Sequence, residues 1–171
     1  MKRKRIFIAI NLPEDTKKQL LTYQSRWPDL PVRWTKPESF HITLEFLGYL
    51  FDEEVLRACQ NTRELALKHQ PFSVRLNKIC YGPPEKMPPR MIWVTGEKIK
   101  EFGIFPHITL GRIKTWEFRI IEPEERPEVD EEIDLRFEVN SIEVMESELK
   151  RGGSEYTVLE SCPLTPLEVL Q

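Results

Sequence analysis

The segment Phe40-His41-Ile42-Thr43-Leu44 is followed, 66 residues further along the chain, by Pro106-His107-Ile108-Thr109-Leu110. The two segments share the tetrapeptide His-Ile-Thr-Leu, whose β-branched and aliphatic residues favour strands. Successive side chains of a strand point to opposite faces, so each motif places its histidine and threonine on one face and its aliphatic residues on the other. The repeat predicts two strands of the same kind, each presenting an imidazole beside a hydroxyl.

Outward from these motifs, hydrophobic periodicity predicts an α+β fold, because antiparallel hairpins occur with separate helices. One helix is predicted from Asn11-Leu12-Pro13, with Asn11 as its cap, to about Trp27, and a second from Asp52 to about His69, and an exposed acidic loop is predicted over 122–134. Lys150-Arg151-Gly152-Gly153 is typical of a hairpin turn. The predicted strands cover residues 5–10, 39–47, 72–76, 90–94, 106–113, 116–121, 135–149 and 156–159, with a short extended piece at 32–35.

Length and composition are those of an ordinary globular protein. The 171 residues suit one domain, 1–171, or two small lobes sharing a core, and 40% of them are hydrophobic and 31% charged. The three cysteines, Cys59, Cys80 and Cys162, are odd in number and widely spaced, so we expect reduced structural thiols rather than disulfides or a zinc site.

The N-terminal basic residues, Lys2 to Arg5, precede only a short apolar run, Ile6 to Ile10. A signal peptide needs about 7–15 apolar residues, and a membrane span needs about 20. We therefore predict a buried strand here and a cytoplasmic protein without a membrane partner. The net charge of −3 argues against gripping long nucleic acid through its backbone, so any nucleic acid is expected to be recognised locally, at an end or a single phosphate. The basic N-terminal residues either contact a nucleic-acid strand or form a solvated flank.

Two of the three histidines lie in identical motifs, and this makes a purely structural role for both a poor explanation. His69 lies at a predicted helix end, where a surface role is expected. Metal binding by His41 and His107 is disfavoured because no carboxylate or cysteine repeats beside them. Nucleophilic attack by a threonine is disfavoured because each His and Thr are neighbours on one strand.

Acid/base catalysis at phosphorus suits the pair better. One imidazole takes a proton from water and the other gives one to the leaving oxygen, and an ordinary pKa near 6.5 serves both tasks. Thr43, Thr109 and Arg112 would hold the non-bridging oxygens as charge builds. This chemistry requires neither a metal nor a cofactor.

The sequence resembles the 2H phosphoesterase superfamily, in particular its RNA 2′,3′-cyclic phosphodiesterase branch, also called 2′-5′ RNA ligases. The resemblance covers nearly the whole chain and rests on residues 5–13, 33–34, 40–48, 90–94 and 106–112, and on the tail from Ser141 to Leu164. It implies a bilobal fold in which two antiparallel sheets, on lobes related by a pseudo-twofold axis, face each other across a central cleft with helices outside. Each lobe would contribute one motif.

The resemblance also implies roles for individual residues. His41 would be the proton donor to the departing 3′-oxygen and His107 the acceptor that activates water, with Thr43, Thr109 and Arg112 as phosphate contacts. The substrates would be RNA 3′ ends or nucleotides carrying a 2′,3′-cyclic phosphate, the product a 2′-phosphomonoester, and 2′-5′ ligation the reverse reaction. The protein is expected to act as a monomer.

Phe46 is a further candidate, as a contact to ribose or base, although simple alternation points it away from His41. Arg33, Lys36 and Arg90 lie near the motif strands as candidate cleft residues. The alternatives that stay open are a non-catalytic module that binds nucleotides or RNA ends, and a phosphodiesterase acting on small cyclic nucleotides. One departure from the family is the short connection Gly96–Phe105, where the family usually has a helix.

Overall fold

The structure is a computed structural model that describes residues 2–166. It contains three α-helices within these residues: α1 (Glu14–Tyr23), α2 (Asp52–Leu67) and α3 (Thr115–Ile120). The strands within the same residues are β1 (Lys4–Asn11), β2 (Val32–Trp34), β3 (His41–Leu50), β4 (Phe72–Gly82), β5 (Met91–Gly96), β6 (His107–Ile113), β7 (Asp130–Val139), β8 (Ser141–Lys150) and β9 (Gly153–Pro163).

The strands form two sheets whose recorded strand pairings are all antiparallel. Sheet A has the order β3-β1-β8-β9 and sheet B the order β2-β6-β5-β4-β7. The α+β prediction with two antiparallel sheets is therefore confirmed, and each His-Ile-Thr-Leu motif lies on a different sheet. The predicted hairpin is confirmed as well, because Lys150 pairs with Gly153 at the tip between β8 and β9.

Strand β1 is apolar throughout its centre because both of its faces are covered. Ile6, Ile8 and Ile10 belong to the main core, together with residues of α2 and of sheet B. Phe7 and Ala9 point to the opposite face and form a small second cluster with Met145 of β8. A strand buried on both sides needs an uninterrupted apolar run, which explains the sequence of this segment.

In the described part of the chain, no helix combines the length and apolar composition that a membrane crossing requires.

The strand predicted over Trp116–Ile121 is wrong, because these residues form helix α3. A strand would place Trp116, Phe118 and Ile120 on one face. The structure buries Phe118, which is 2% exposed, and leaves Trp116 and Ile120 76% and 68% exposed. The Phe118 N–H donates to the Lys114 carbonyl at 2.9 Å, which closes the first helical turn. The alternation in sequence was therefore not a strand signal.

Several boundaries also differ from prediction: α1 begins at Glu14 and ends at Tyr23, β4 extends to Gly82, and β9 covers Gly153–Pro163. The acidic segment 122–134, predicted as a loop, ends in a strand, because β7 begins at Asp130 and pairs with β4 at the edge of sheet B. Its acidic side chains stay in solvent and meet basic ones on β4, as in the pair Lys78–Asp130 at 3.0 Å. The long strand predicted over 135–149 is divided at Asn140 into β7 and β8, which belong to different sheets.

The short connection Gly96–Phe105 is closed by its own hydrogen bonds. Ile99 pairs with Ile104, and the Ile99 N–H donates to the Ile104 carbonyl at 2.7 Å. Gly103 supplies the positive φ of 66° that this tight turn requires. Ile99 is only 3% exposed, so the connection contributes to the core despite its length.

Candidate active site

A cleft of about 1160 Å³ lies between the sheets and is lined by residues of both. It brings together the six residues that the sequence analysis named as catalytic, phosphate-binding or substrate-binding candidates. Sheet A contributes three of them and sheet B the other three: His41, Thr43 and Phe46, and His107, Thr109 and Arg112. Residues 66 positions apart in sequence therefore share one cavity.

The ring of His41 is held in a defined orientation at the start of β3. Its Nδ1 lies 2.8 Å from the carbonyl oxygen of Ser39, in the short helical turn just before the strand. Because a carbonyl only accepts, Nδ1 carries a hydrogen and donates it. Nε2 then lies 3.2 Å from Thr43 Oγ1. In the neutral ring Nε2 accepts the threonine proton, and in the imidazolium it becomes a donor.

Two aromatic side chains enclose the His41 ring and affect its titration. The ring centroids of Phe7 and Tyr156 lie 5.1 Å and 4.8 Å from that of His41. Burial of the ring lowers the pKa of His41, the Ser39 hydrogen bond opposes this, and the charge of nearby His107 lowers it again. The positive charge of a protonated His107 thus disfavours a second positive charge on His41.

His107, on β6, is exposed to the cleft on one side and stacks on Trp93 on the other. The ring centroids are 4.2 Å apart with an interplanar angle of 24°. Partial burial against the protein lowers the pKa of His107, which favours the neutral ring at physiological pH. Trp93 has room for its indole because residue 82 is glycine, where a Cβ would lie 2.3 Å from a ring carbon.

A β-bulge in β3 brings Phe46 to the cleft face. Ala9 of β1 pairs with Thr43, while Phe7, two residues earlier, pairs with Phe46, three residues later. Paired residues project from the same face of a sheet. The extra residue therefore reverses the alternation, and Phe46 joins His41 and Thr43. The expectation that Phe46 points away from His41 was wrong for this reason.

A second bulge repeats the arrangement one step further along β3. Arg5 pairs with Tyr49, again three residues after Phe46, so Tyr49 also faces the cleft. The Arg5 guanidinium carbon lies 4.4 Å from the centre of the Phe46 ring, and the Phe7 ring is stacked with Phe46 at a centroid distance of 6.0 Å. Phe46 is thus held by a cation–π contact and an aromatic stack.

A bulge in β6 likewise places the side chain of Arg112 on the cleft face. Trp93 of β5 pairs with Thr109, and Met91 pairs with Arg112, so the side chains of Thr109 and Arg112 share the cleft face although they are three residues apart. Within the described residues, the side-chain hydrogen bonds of both go to the Met91 sulfur, at 3.8 Å and 3.9 Å. Sulfur is a weak acceptor, so both donors remain available to a stronger one.

The cleft is basic although the protein is acidic. The net charge of the chain is −3, yet six lysine and arginine residues line the cleft against two glutamates. The six are Arg5, Arg33, Lys36, Arg112, Lys150 and Arg151. A concave basic surface attracts anions and raises their local concentration. In residues 2–166, no group of three His, Cys, Asp or Glu side chains is placed to hold a metal ion.

Several cleft residues were missed or only partly foreseen from the sequence. Arg33 and Lys36 line the cleft as expected, and Arg90 is not among its lining residues. Of the N-terminal basic group, Arg5 lines the cleft, whereas Lys4 pairs with Asp52 at 3.6 Å. The aromatic neighbours Phe7, Trp93 and Tyr156, and the cleft lining by the β8–β9 hairpin tip, depend on long-range pairing and have no local signal.

Comparison with known proteins gives a consistent result. A family model described as LigT like Phosphoesterase matches residues 10–93. An RNA 2′,3′-cyclic phosphodiesterase from Methanocaldococcus jannaschii is 28% identical over 91% of this chain and 98% of its own length. A protein of the same name from Thermotoga maritima is 27% identical over 92% of this chain and 94% of its own length.

Solved structures resemble the whole fold. A crystal structure of a Thermus thermophilus protein has a TM-score of 0.81 and 28% identity, and covers 95% of this chain and 99% of that one. Escherichia coli LigT, crystallised with phosphate, has a TM-score of 0.72 and 22% identity, with coverage of 96% and 99%. The second likeness concerns the fold alone.

Proposed function

Because the chain belongs to the LigT-like phosphoesterase family, we propose that it hydrolyses RNA 2′,3′-cyclic phosphate ends to 2′-phosphomonoesters, using His41 and His107 without a metal ion. The observation that supports this most directly is the meeting of two His-Ile-Thr-Leu motifs, from two different sheets, in one basic cleft. The named relatives along most of the chain are RNA 2′,3′-cyclic phosphodiesterases, which indicates the substrate class.

In the proposed reaction His107 is the general base. Its lowered pKa keeps the ring neutral near pH 7, and its open side faces the cleft, where a water molecule can approach. The ring accepts a proton from that water as the water oxygen attacks phosphorus. The stack on Trp93 fixes the ring plane and so directs its lone pair.

His41 is the general acid in this proposal. The Ser39 carbonyl holds the Nδ1 hydrogen, so the proton that can be transferred is the one on Nε2, which points along the cleft face toward Thr43. As the bond between phosphorus and the 3′-oxygen breaks, Nε2 gives its proton to that oxygen. The 2′-oxygen keeps the phosphate. The negative substrate stabilises the imidazolium in the bound state, which opposes the effect of burial.

Thr43, Thr109 and Arg112 are the proposed contacts to the non-bridging phosphate oxygens. The two threonines lie on different sheets, one beside each histidine, so they approach the phosphate from opposite sides of the cleft. Arg112 adds a fixed positive charge where negative charge accumulates during attack. Phe46, which is 49% exposed, is the proposed contact for the terminal ribose or base.

The test is product analysis on an RNA that ends in a 2′,3′-cyclic phosphate, with EDTA present. We expect turnover to a 2′-phosphate. His41→Ala and His107→Ala should each lower the rate about 10²–10⁴-fold. His69→Ala is the matched control, because this third histidine packs on Phe102 outside the cleft. Full activity in both cleft variants, or RNA-end binding without turnover by the unmodified protein, would refute the proposal.

A further inference from the structure

The cleft continues well beyond the two motifs, along sheet A toward the β8–β9 hairpin tip. On the β1 ladder, Thr43 pairs with Ala9, and Arg5 pairs with both Tyr49 and Ser147 of β8. Leu149, two residues past Ser147, begins the tip, which also lines the cleft. At about 3.3 Å per residue, the tip is roughly 20 Å from the level of Thr43.

This extent exceeds the needs of a mononucleotide. Pockets for single small ligands enclose about 300–1,000 Å³, whereas this cleft encloses about 1160 Å³. The additional space is not lined at random, because two kinds of side chain that bind single-stranded nucleic acid follow one another along sheet A. These are aromatic rings and, beyond them, cations.

The aromatic part consists of Phe46 and Tyr49. The bulges of β3 place both rings on the cleft face, three residues apart, and they are 49% and 60% exposed. Exposed aromatic rings in series are the usual platform on which successive bases of a single strand stack. With Phe46 nearest to the histidines, Tyr49 is one position further from the reacting phosphate.

The cationic part is the hairpin tip, where Lys150 and Arg151 are exposed and line the cleft. Lys150 lies 3.3 Å from Glu148 on the same strand, an exposed pair that contributes little and can be exchanged for a phosphate. No ion pair is recorded for Arg151 among residues 2–166. Both cations lie beyond Tyr49 as seen from the histidines. The backbone of the nucleotide that precedes the cyclic-phosphate end would pass there.

We propose that Tyr49, Lys150 and Arg151 form a subsite for the nucleotide that precedes the cyclic-phosphate end, so that an RNA oligonucleotide is a better substrate than a cyclic mononucleotide. This inference rests on the proposed function, because it takes the cyclic phosphate to lie at the histidines. In the subsite, Tyr49 stacks on the preceding base, and the two cations bind the phosphodiester that joins it to the chain.

The experiment compares adenosine 2′,3′-cyclic phosphate with a ten-nucleotide oligoadenylate that carries the same end. The Lys150→Gln/Arg151→Gln variant should lower the oligonucleotide-to-mononucleotide ratio of kcat/KM by about 10–100-fold, mainly through KM. The salt dependence for the oligonucleotide should also weaken. The slope of log(kcat/KM) against the logarithm of the salt concentration should become less steep by about 1.4, because each cation accounts for about 0.7 on a single strand.

Two variants locate the effect. Arg57→Gln/Lys68→Gln makes the same charge change at two exposed positions outside the cleft, one on α2 and one at its C-cap, and should leave the ratio unchanged. Tyr49→Ala should lower the ratio and Tyr49→Phe should restore it, since the ring rather than the hydroxyl is required. If Arg33→Gln/Lys36→Gln lowers the ratio instead, the RNA leaves the cleft past sheet B and the subsite proposal is wrong.

Binding separates this proposal from the proposed function. A fluorescent oligoadenylate with a 2′-phosphate end is titrated with the unmodified protein and with the Lys150→Gln/Arg151→Gln variant. If the unmodified protein turns over neither cyclic phosphate, the proposed function fails, while weaker binding by the variant still supports the subsite. If both cyclic phosphates are opened with equal kcat/KM and the variant binds as the unmodified protein does, the subsite alone is overturned.

Discussion

Replacing Gly82 by alanine tests whether the stack of Trp93 beneath His107 contributes to catalysis. Gly82 ends β4 beside the indole of Trp93, and an added Cβ would lie 2.3, 2.6 and 2.7 Å from three atoms of that indole. Because carbon atoms pack at about 3.5–4.0 Å, the indole must move by about 1 Å or more. The His107 ring, whose centroid is 4.2 Å from that of Trp93, loses its support in its present position.

Two quantities should change in the Gly82→Ala variant. Inserting a methyl group into a packed site costs about 1–3 kcal/mol of unfolding free energy. A displacement of about 1 Å at a general base can reduce the catalytic rate by up to about 10²-fold. We therefore expect losses of similar size in stability and in kcat, with KM less affected because the phosphate contacts on both sheets remain.

The assay combines denaturant unfolding with kinetics on a cyclic-phosphate substrate, at a temperature where the variant stays folded. Gly152→Ala is the matched stability control, because a Cβ there meets nothing within 4 Å and its φ is not positive. It should stay within about 0.5 kcal/mol of the unmodified protein. In a Trp93→Ala background, the Gly82 substitution should cost little, because the ring that it strikes is gone.

The outcomes separate two roles of Trp93. Reduced stability with unchanged kcat would show that Trp93 is a core residue and does not position His107. Unchanged stability together with unchanged kcat would refute the packing argument itself. A fall in kcat in Gly82→Ala that persists undiminished in the Trp93→Ala background would place the cause elsewhere than in the stack.

Three further predictions concern residues of the cleft. The pKa values of His41 and His107 are both lowered, so His41 loses its proton at a lower pH than an ordinary histidine and His107 stays neutral to a lower pH. The value of kcat/KM should therefore peak below pH 6.5 and fall about tenfold per pH unit above neutrality. A value of kcat/KM that rises from pH 6 to 9 would contradict the assigned roles. Arg112→Gln should lower kcat/KM about 10–100-fold and Arg112→Lys by less, because the lysine keeps the charge but loses the fork; equal losses would exclude a charge role. Phe46→Ala should raise KM more than it lowers kcat in steady-state kinetics, and a pure kcat effect would move Phe46 from binding to catalysis.

Much of the fold was accessible from local patterns. The apolar run of β1, the amphipathic α2 and the hairpin turn are properties of adjacent residues, and the structure confirms them. The error at Trp116–Ile121 arose because alternation over six residues is compatible with a short helix that buries one side chain, Phe118. The division at Asn140 was missed because both β7 and β8 alternate, and only their partners assign them to different sheets.

For the cleft, the sequence alone determined that each histidine shares a strand face with its threonine, because the period of a strand is a local property. Tertiary structure decided the rest of the cleft face. Phe46 and Arg112 each lie five residues after a motif histidine and would alternate to the wrong side in a regular strand. Bulges reverse that alternation, and a bulge exists only relative to the neighbouring strand, β1 in one sheet and β5 in the other. The environment of each histidine, Tyr156 beside one and Trp93 beneath the other, depends in the same way on strands that are distant in sequence.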